Sequence, residues 1–240
     1  MEIYEAPRAK RSICLTWYLL LICLASNVGS LARAYNPDEL FEEIVDLAGF
    51  EFESHQIESN GYLVTLYRIP NLKEPPANSA YRPPVILQHG LFDSAFAWIV
   101  HQQNKAPAFI LAEYGYDVWL SNSRGVGPSR NHTILDPDQN DKKNTFWHFD
   151  WQDMGREDLP SVIRHITRVT KYKKIAIIAH QEGTSQVFAG MDAYPKFFNE
   201  RISLFIALGP VTKLTNTKEE LVKFSSQKMQ LIEEAEVLLN

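Results

Sequence analysis

One stretch of the sequence has the residue spacing of a catalytic turn. Lys174–Ala179 is a short apolar run of the kind that a buried parallel strand needs, and helical spacing begins at Gly183. Between them, the five residues from Ala179 to Gly183 read Ala-His-Gln-Glu-Gly. A sharp strand–turn–helix bracketed by small residues is typical of a nucleophile elbow, which projects its central side chain into an active site. Here the central residue is Gln181, and an amide has no hydroxyl or thiol that a base can activate.

A second turn completes the predicted site. The strand Val85–Gln88 runs into His89-Gly90-Leu91. In enzymes with this elbow, the turn after such a strand supplies one backbone N–H of the oxyanion hole, and the residue after the nucleophile supplies the other. Those donors are predicted at Leu91 and Glu182, while His180 and Gly183 complete the elbow.

Other side chains near the elbow have simpler interpretations. His89 is expected to be a strand-end histidine bonded to a neighbouring backbone group. It is also the one histidine that could act as a base for a serine at position 181. Ser185 lies about one helical turn beyond Gln181 and is interpreted as a packed helix serine. Glu182 is interpreted as an acid stabilised at a helix N-terminus, and Asp158 is expected on a separate element. The aromatic run 146–151 is interpreted as a packing cluster and not as a ligand platform.

Strands and helices alternate along the chain, with an Asn60-Gly61 hairpin turn near the start. This alternation predicts an α/β fold with a mostly parallel, doubly wound sheet. The predicted helices are Pro37–Ala48, Pro107–Tyr114, Glu157–Thr170 and Thr217–Leu239. The predicted strands are His55–Glu58, Tyr62–Ile69, Val85–Gln88, Asp117–Leu120, Lys174–Ala179 and Ile202–Leu208.

The N-terminus has the features of a secretory signal peptide. Basic residues precede the apolar run Ile13–Ala25, and Ala32-Arg33-Ala34 supplies a cleavage site. An uncleaved signal anchor is the alternative interpretation. The sequon at Asn131 predicts a glycan, consistent with a secreted or lysosomal protein.

Composition excludes several function classes. Removing residues 1–34 leaves 20 basic and 27 acidic residues, a net charge of −7, which argues against a nucleic-acid partner. Both cysteines, Cys14 and Cys23, lie in the signal segment. The mature chain therefore has no disulfide, no thiolate zinc site and no cysteine nucleophile, and we expect no metal and no cofactor.

Five segments in the same order and spacing resemble the acid lipase family of gastric and lysosomal lipases. They are LQHGLFDSAFAWI, GYDVWLSNSRG, FWHFDWQDMGREDLP, AHQEGT and ALGPV. The resemblance covers about Tyr35 to Val211. It implies an eight-stranded α/β-hydrolase fold with a helical lid, and enzymes that cleave neutral lipid esters in acidic compartments or outside the cell.

The sequence departs from the family in two ways. The family elbow reads GHSQGT, whereas Ala179, Gln181 and Glu182 replace its first Gly, its Ser and its Gln. The triad order is Ser, then Asp or Glu, then His, but no histidine follows His180 and the only later aspartate is Asp192. We therefore expect a partial hydrolase domain at 35–211, without its C-terminal strands and most of its lid, and a helical segment at 212–240 that begins a lid.

Three functions remain open at this point. The chain is an active lipid esterase, a catalytically inactive relative that binds lipid or a partner lipase, or an incomplete gene product. Loss of the nucleophile favours the inactive interpretations. The expected ligand is a neutral lipid or acyl ester. Because Ile202–Leu208 is expected to lack an outer neighbour, the sheet edge is a predicted surface for self-association or for a partner lipase.

Overall fold

The computed structural model describes residues 36–70, 83–139 and 145–213. Apart from Asn36, these residues belong to one compact unit, Pro37–Leu214. The predicted signal peptide and the predicted helix Thr217–Leu239 lie outside the described residues. Among the helices that are described, none is long and apolar enough to cross a membrane.

The described residues form six strands, all of them predicted, and six helices, of which Trp151–Asp153 and Pro195–Arg201 were not predicted. The helices are α1 Pro37–Leu47, α2 Pro107–Glu113, α3 Trp151–Asp153, α4 Leu159–Thr170, α5 Glu182–Ala193 and α6 Pro195–Arg201. The strands are β1 Glu53–Ser59, β2 Tyr62–Ile69, β3 Pro84–Gln88, β4 Asp117–Ser121, β5 Ile175–His180 and β6 Ile202–Leu208. Short 3₁₀ turns occur at Ala95–Trp98 and Gly127–Ser129.

The strands form one sheet in the order β1-β2-β4-β3-β5-β6. The pairs β1–β2 and β2–β4 are antiparallel. The pairs β4–β3, β3–β5 and β5–β6 are parallel. The hairpin prediction is confirmed, because Asn60 (φ 50°) and Gly61 (φ 86°) both adopt the left-handed conformation that a two-residue turn requires. The described part thus contains six of the eight strands that the resemblance implies.

Alternate residues of the central strands pack into two separate hydrophobic clusters, one on each face of the sheet. Val85 and Leu87 of β3 pack into a cluster with α1 and α2, while Ile86 between them belongs to a cluster with α4, α5 and α6. Helices therefore cover both faces of the sheet, as a doubly wound fold requires. The central parallel strands are apolar on both faces for this reason.

The helix predicted at Glu157–Thr170 is preceded by further helical turns that the sequence analysis did not predict. α3 begins after Asp150, whose side chain caps it, and a π-helical turn at Met154–Asp158 joins α3 to α4. Pro160 lies in the first turn of α4, where its missing N–H is tolerated, as predicted. The approach brings the aromatic run 146–151 against the C-terminal ends of the strands.

β6 is an edge strand of the described sheet. Its bounds, Ile202–Leu208, are those predicted. The side chains of Leu204, Ile206 and Leu208 are 53%, 39% and 42% exposed. Within the described ranges, β6 has a neighbour only on its β5 side.

Candidate functional site

The turn between β5 and α5 has the backbone of a nucleophile elbow. β5 ends at His180, α5 begins at Glu182, and Gln181 between them has φ 47° and ψ −114°. A non-glycine residue in this region is strained, and it is held here by its surroundings. The Gln181 N–H donates to the Leu208 carbonyl (2.9 Å), and the N–H of Thr184 donates to the Gln181 carbonyl (3.0 Å).

Gly183 is required for close packing at the elbow. A Cβ atom there would lie 2.6 Å from the His89 carbonyl oxygen and 2.9 Å from that of Gln88. The first turn of α5 therefore runs directly against the end of β3. This contact brings the two predicted parts of the site, the elbow and the turn at residues 89–91, side by side.

The Gln181 side chain lies over that turn. The Leu91 N–H donates to Gln181 Oε1 at 2.9 Å. A Cβ atom at Gly90 would lie 2.8 Å from the same oxygen, so only glycine leaves room for it. One of the two backbone donors predicted for an oxyanion hole is therefore bonded to the carbonyl group of the protein's own amide.

His89 is buried and both of its ring nitrogens are engaged. Nδ1–H donates to the Gly90 carbonyl (2.8 Å), and Nε2 accepts from the Ser123 N–H (3.0 Å). Burial lowers the pKa of His89, and the bond to Gly90 opposes this only in part. The imidazole is thus held neutral with no nitrogen directed at the elbow, which agrees with its interpretation as a satisfied strand-end histidine.

A pocket of about 230 Å³ opens beside the elbow. Gln181 and Glu182 form its polar wall, and Trp151 and Phe188 contribute aromatic surface. Among the described residues, its lining consists of Leu91, Trp151, Gln181, Glu182, Ser185, Phe188, Val211 and Thr212. The arrangement is suited to an apolar chain with one polar end.

Sequence comparison assigns the fold family. A family model described as the partial alpha/beta-hydrolase lipase region matches residues 41–102. A second, described as the alpha/beta hydrolase fold, matches residues 83–234. The chain belongs to the α/β-hydrolase fold family.

Named relatives place this α/β-hydrolase beside the acid lipases. Lipase member M of Homo sapiens is 34% identical over 216 residues, which cover 87% of this chain and 50% of the relative. Gastric triacylglycerol lipase of Bos taurus is 35% identical over 210 residues, 84% of this chain and 52% of the relative. The resemblance to the acid lipase family is confirmed, and the chain spans about half the length of these relatives.

Among solved structures, "Epoxide hydrolase CorEH without ligand" is similar over 70% of this α/β-hydrolase and 45% of its own chain. The identity is 23% and the TM-score is 0.44.

Two polar residues of the hydrolase pocket have structural partners. Ser185 is buried and its hydroxyl donates to the Val211 carbonyl (2.7 Å), consistent with a packed helix serine. Glu182 occupies the first position of α5, as predicted. Burial raises the pKa of Glu182, and a bond from Gln186 (3.4 Å) only partly opposes this.

The aromatic run divides between packing and pocket. Phe146 is fully buried, and the Arg124 guanidinium lies over the Tyr62 ring (4.2 Å) and the Phe149 ring (5.7 Å), as expected of a packing cluster. Trp151 instead lines the pocket, which the sequence interpretation missed. The signal that locates it is the Asp-x-x-Asp capping box at Asp150, because this starts a helix and turns Trp151 toward α5.

The remaining acidic candidates do not form a catalytic pair. Asp158 accepts two hydrogen bonds from Arg124 (2.7 and 2.6 Å) and is not among the residues that line the pocket with Glu182. Throughout the part of the chain that the structure describes, no group of three His, Cys, Asp or Glu side chains is placed to hold a metal ion.

Proposed function

We propose that this chain is an acid lipase-like α/β-hydrolase that binds a lipid acyl group without hydrolysing it. The observation that carries the proposal is the hydrogen bond from the Leu91 N–H to Gln181 Oε1. Two catalytic functions are lost at this position. The residue at the elbow is not a nucleophile, and its side chain occupies an N–H donor that an ester oxygen would need.

A neighbouring histidine supports the same conclusion. His89 is the candidate base in the second turn. Both of its ring nitrogens are already hydrogen-bonded, one to the Gly90 carbonyl and the other to the Ser123 N–H. Loss of a triad member lowers the rate by a factor on the order of 10⁴–10⁶. We expect no ester turnover above background.

The pocket supports binding of an acyl chain. Leu91, Trp151 and Phe188 offer apolar surface, and the Gln181 amide and Glu182 provide a polar end. Relatives named as lipases, one of them a triacylglycerol lipase, make a neutral lipid or acyl ester the ligand class to test first. Because burial raises the pKa of Glu182, acid conditions leave the pocket uncharged, which favours an apolar ligand.

Two assays on the purified full chain test this proposal. The first measures hydrolysis of short- and long-chain acyl esters by the wild type, Gln181→Ser and Gln181→Ser/His89→Ala. All three are expected to match a heat-killed control. Turnover by the wild type overturns the inactive interpretation, and turnover by Gln181→Ser alone assigns a base role to His89.

The second assay measures binding of a non-hydrolysable dialkyl glycerol ether through tryptophan fluorescence. The wild type is expected to bind saturably, and Phe188→Asp is expected to weaken binding because it places a charge in the apolar wall. Tyr114→Asp, at an exposed aromatic residue outside the pocket, is the control. Equal affinity of the wild type and Phe188→Asp contradicts the proposed pocket.

We further propose entry into the secretory pathway, with the protein secreted or delivered to lysosomes. The Asn131 side chain is exposed, and its backbone carbonyl is bonded to the Leu63 N–H, which holds the sequon on the surface. Expression in a secretory host should give a chain that begins at Tyr35 and loses mass on glycosidase treatment. Asn131→Gln should show no such loss.

A second candidate function is association through β6. The exposed Leu204, Ile206 and Leu208 on an edge strand favour pairing with a second copy or a partner lipase. Light scattering during gel filtration should detect a self-associated species that Ile206→Lys converts to monomer. A wild-type chain that is monomeric at all concentrations contradicts self-association.

A further inference from the structure

A groove of about 390 Å³ lies between the edge strand β1 and helix α4, on a different pair of elements from the elbow. The helix contributes residues at positions i, i+3, i+4 and i+7, which share one face. These are Ser161, Arg164, His165 and Arg168, and β1 contributes Gln56, Ile57 and Glu58. The groove is therefore mostly polar and carries two guanidinium groups.

Both guanidinium groups are held by uncharged partners. The Arg164 guanidinium lies over the Phe197 ring, 4.9 Å from its centre, a cation–π contact that does not neutralise its charge. Arg168 Nη2 donates to His165 Nδ1 at 3.1 Å. Neither arginine forms an ion pair with any residue that the structure describes. Their positive charges are consequently positioned but not neutralised.

Other arginines of the fold behave differently. Arg68 pairs with Asp117, Arg124 pairs with Asp158, and Arg130 pairs with Asp138. Each of these three is matched with a carboxylate, whether it is buried, as Arg124 is, or exposed, as Arg130 is. Among the described residues, the two in the groove lack such a match, on a chain whose net charge is −5.

A hydrogen-bond chain that starts at Glu53 determines which ring nitrogen of His165 acts as an acceptor. His165 Nε2 lies 3.2 Å from His55 Nδ1, and His55 Nε2 lies 2.9 Å from Glu53 Oε2. Because the Glu53 carboxylate only accepts, His55 carries its proton on Nε2, and so does His165. His165 Nδ1 is left as the acceptor that fixes Arg168. The arrangement engages one of the five N–H groups of that guanidinium and leaves the others for a ligand.

The sequence around the groove adds to the positive potential. Residues 159–181 contain five basic residues and no acidic one. Besides the two groove arginines, they are Lys171, Lys173 and Lys174. The segment that supplies the α4 wall of the groove is therefore basic in an otherwise acidic protein, and a local positive excess attracts anions.

We propose that this groove binds a phosphate group. Two guanidinium forks one helical turn apart match the oxygens of a tetrahedral anion better than they match a monovalent halide. Ser161 contributes no donor, since its hydroxyl is bonded to the Glu157 carbonyl (2.9 Å). Glu58, an exposed carboxylate in the lining, opposes the anion and limits its affinity. The phosphate is either free in solution or part of a lipid headgroup.

Calorimetric titration of the full chain with inorganic phosphate, at constant ionic strength in chloride, tests the site. Saturable binding is expected, and Arg164→Gln/Arg168→Gln should weaken it at least about tenfold, the effect of losing charge-assisted hydrogen bonds. Arg156→Gln removes an exposed arginine outside the groove and should bind as the wild type. Glu58→Gln should tighten binding.

Two further measurements locate the bound phosphate and check that the double variant is folded. Phosphate should shift the ring resonances of His165 in histidine-labelled protein, since this imidazole holds Arg168 in place. Cooperative unfolding of the double variant confirms that it is folded. The proposal is overturned if the wild type shows no saturable binding, or if the double variant binds as tightly as the wild type.

The source of the phosphate is resolved with vesicles. Phosphatidylcholine vesicles with and without phosphatidic acid are sedimented with the wild type and the double variant. Co-sedimentation that needs phosphatidic acid and both arginines supports the site and assigns a lipid headgroup. Calorimetric binding without co-sedimentation supports the site and assigns a soluble phosphate.

Discussion

The elbow holds a glutamine in a backbone conformation that suits glycine, and two substitutions at Gln181 separate the backbone from the side chain. Gln181→Ala keeps a Cβ atom at φ 47° and removes the bond between Leu91 N–H and Oε1 (2.9 Å). Gln181→Gly removes the same bond and also relieves the strain. Comparing the two variants isolates the cost of the conformation.

The magnitudes follow from these contacts. The hydrogen bond contributes about 0.5–1.5 kcal/mol, and the exposed position of Leu91 lets water replace it, so Gln181→Ala should lower the free energy of unfolding by about 0.5 kcal/mol. Strain at a non-glycine residue in this region costs about 1–3 kcal/mol. The greater freedom of unfolded glycine offsets about 0.5–1 kcal/mol of this. The Gly variant should therefore be more stable than the Ala variant by about 1 kcal/mol.

Urea unfolding followed by tryptophan fluorescence measures both variants, with an unchanged slope as the sign that only stability has changed. Gly115→Ala is the matched control, because Gly115 has φ 85° and a Cβ atom added there would meet nothing within 4 Å. It should be destabilised by a similar amount. If the Ala and Gly variants at position 181 unfold at the same urea concentration, the elbow is not strained and the reasoning is wrong.

Three other outcomes are expected in the same unfolding assay. Gly183→Ala should lose about 1–3 kcal/mol, because its Cβ atom would meet the His89 carbonyl oxygen at 2.6 Å, and a wild-type midpoint would contradict the close contact. Arg124→Gln should lose about 3–5 kcal/mol by leaving Asp158 buried without its cation, and adding Asp158→Asn should recover part of the loss. Burial lowers the pKa values of His89 and His165 from 6.5, so the unfolded state binds more protons and stability should fall as the pH drops below about 6.5. His165→Gln should make that decline shallower, and an unchanged slope would show that His165 does not contribute.

The sequence predicts the framework well where a local signal is strong. The Asn60-Gly61 turn and the run Ile202–Leu208 are found where they are predicted, since a two-residue turn and an apolar run are each defined by neighbouring residues. β1 is longer than its predicted span, His55–Glu58, because pairing with β2 extends it to Glu53 and Ser59. The extension depends on the partner strand and has no local signature.

The site is predictable in position but not in side-chain arrangement. The elbow and the turn at Leu91 follow from motif spacing, whereas the placement of the Gln181 amide on the Leu91 N–H depends on how closely β3 and α5 approach. Trp151 reaches the pocket from a short helix that the Asp150 capping box starts and that hydrophobic periodicity does not predict. The groove arginines Arg164 and Arg168 look like ordinary helix-surface charges until their uncharged partners are known.

The strand order bears on how the chain folds as it is synthesised. β3 pairs with β4 on one side and β5 on the other, and both neighbours follow it in the sequence. As the N-terminal part leaves the ribosome first, β1 to β4 can assemble into a sub-sheet while the elbow strand is still being made. β5 must then dock on the unpaired edge of β3, a strand that is apolar except for Gln88. Ribosome-bound chains stopped between β4 and β5 are consequently the ones that most need a chaperone.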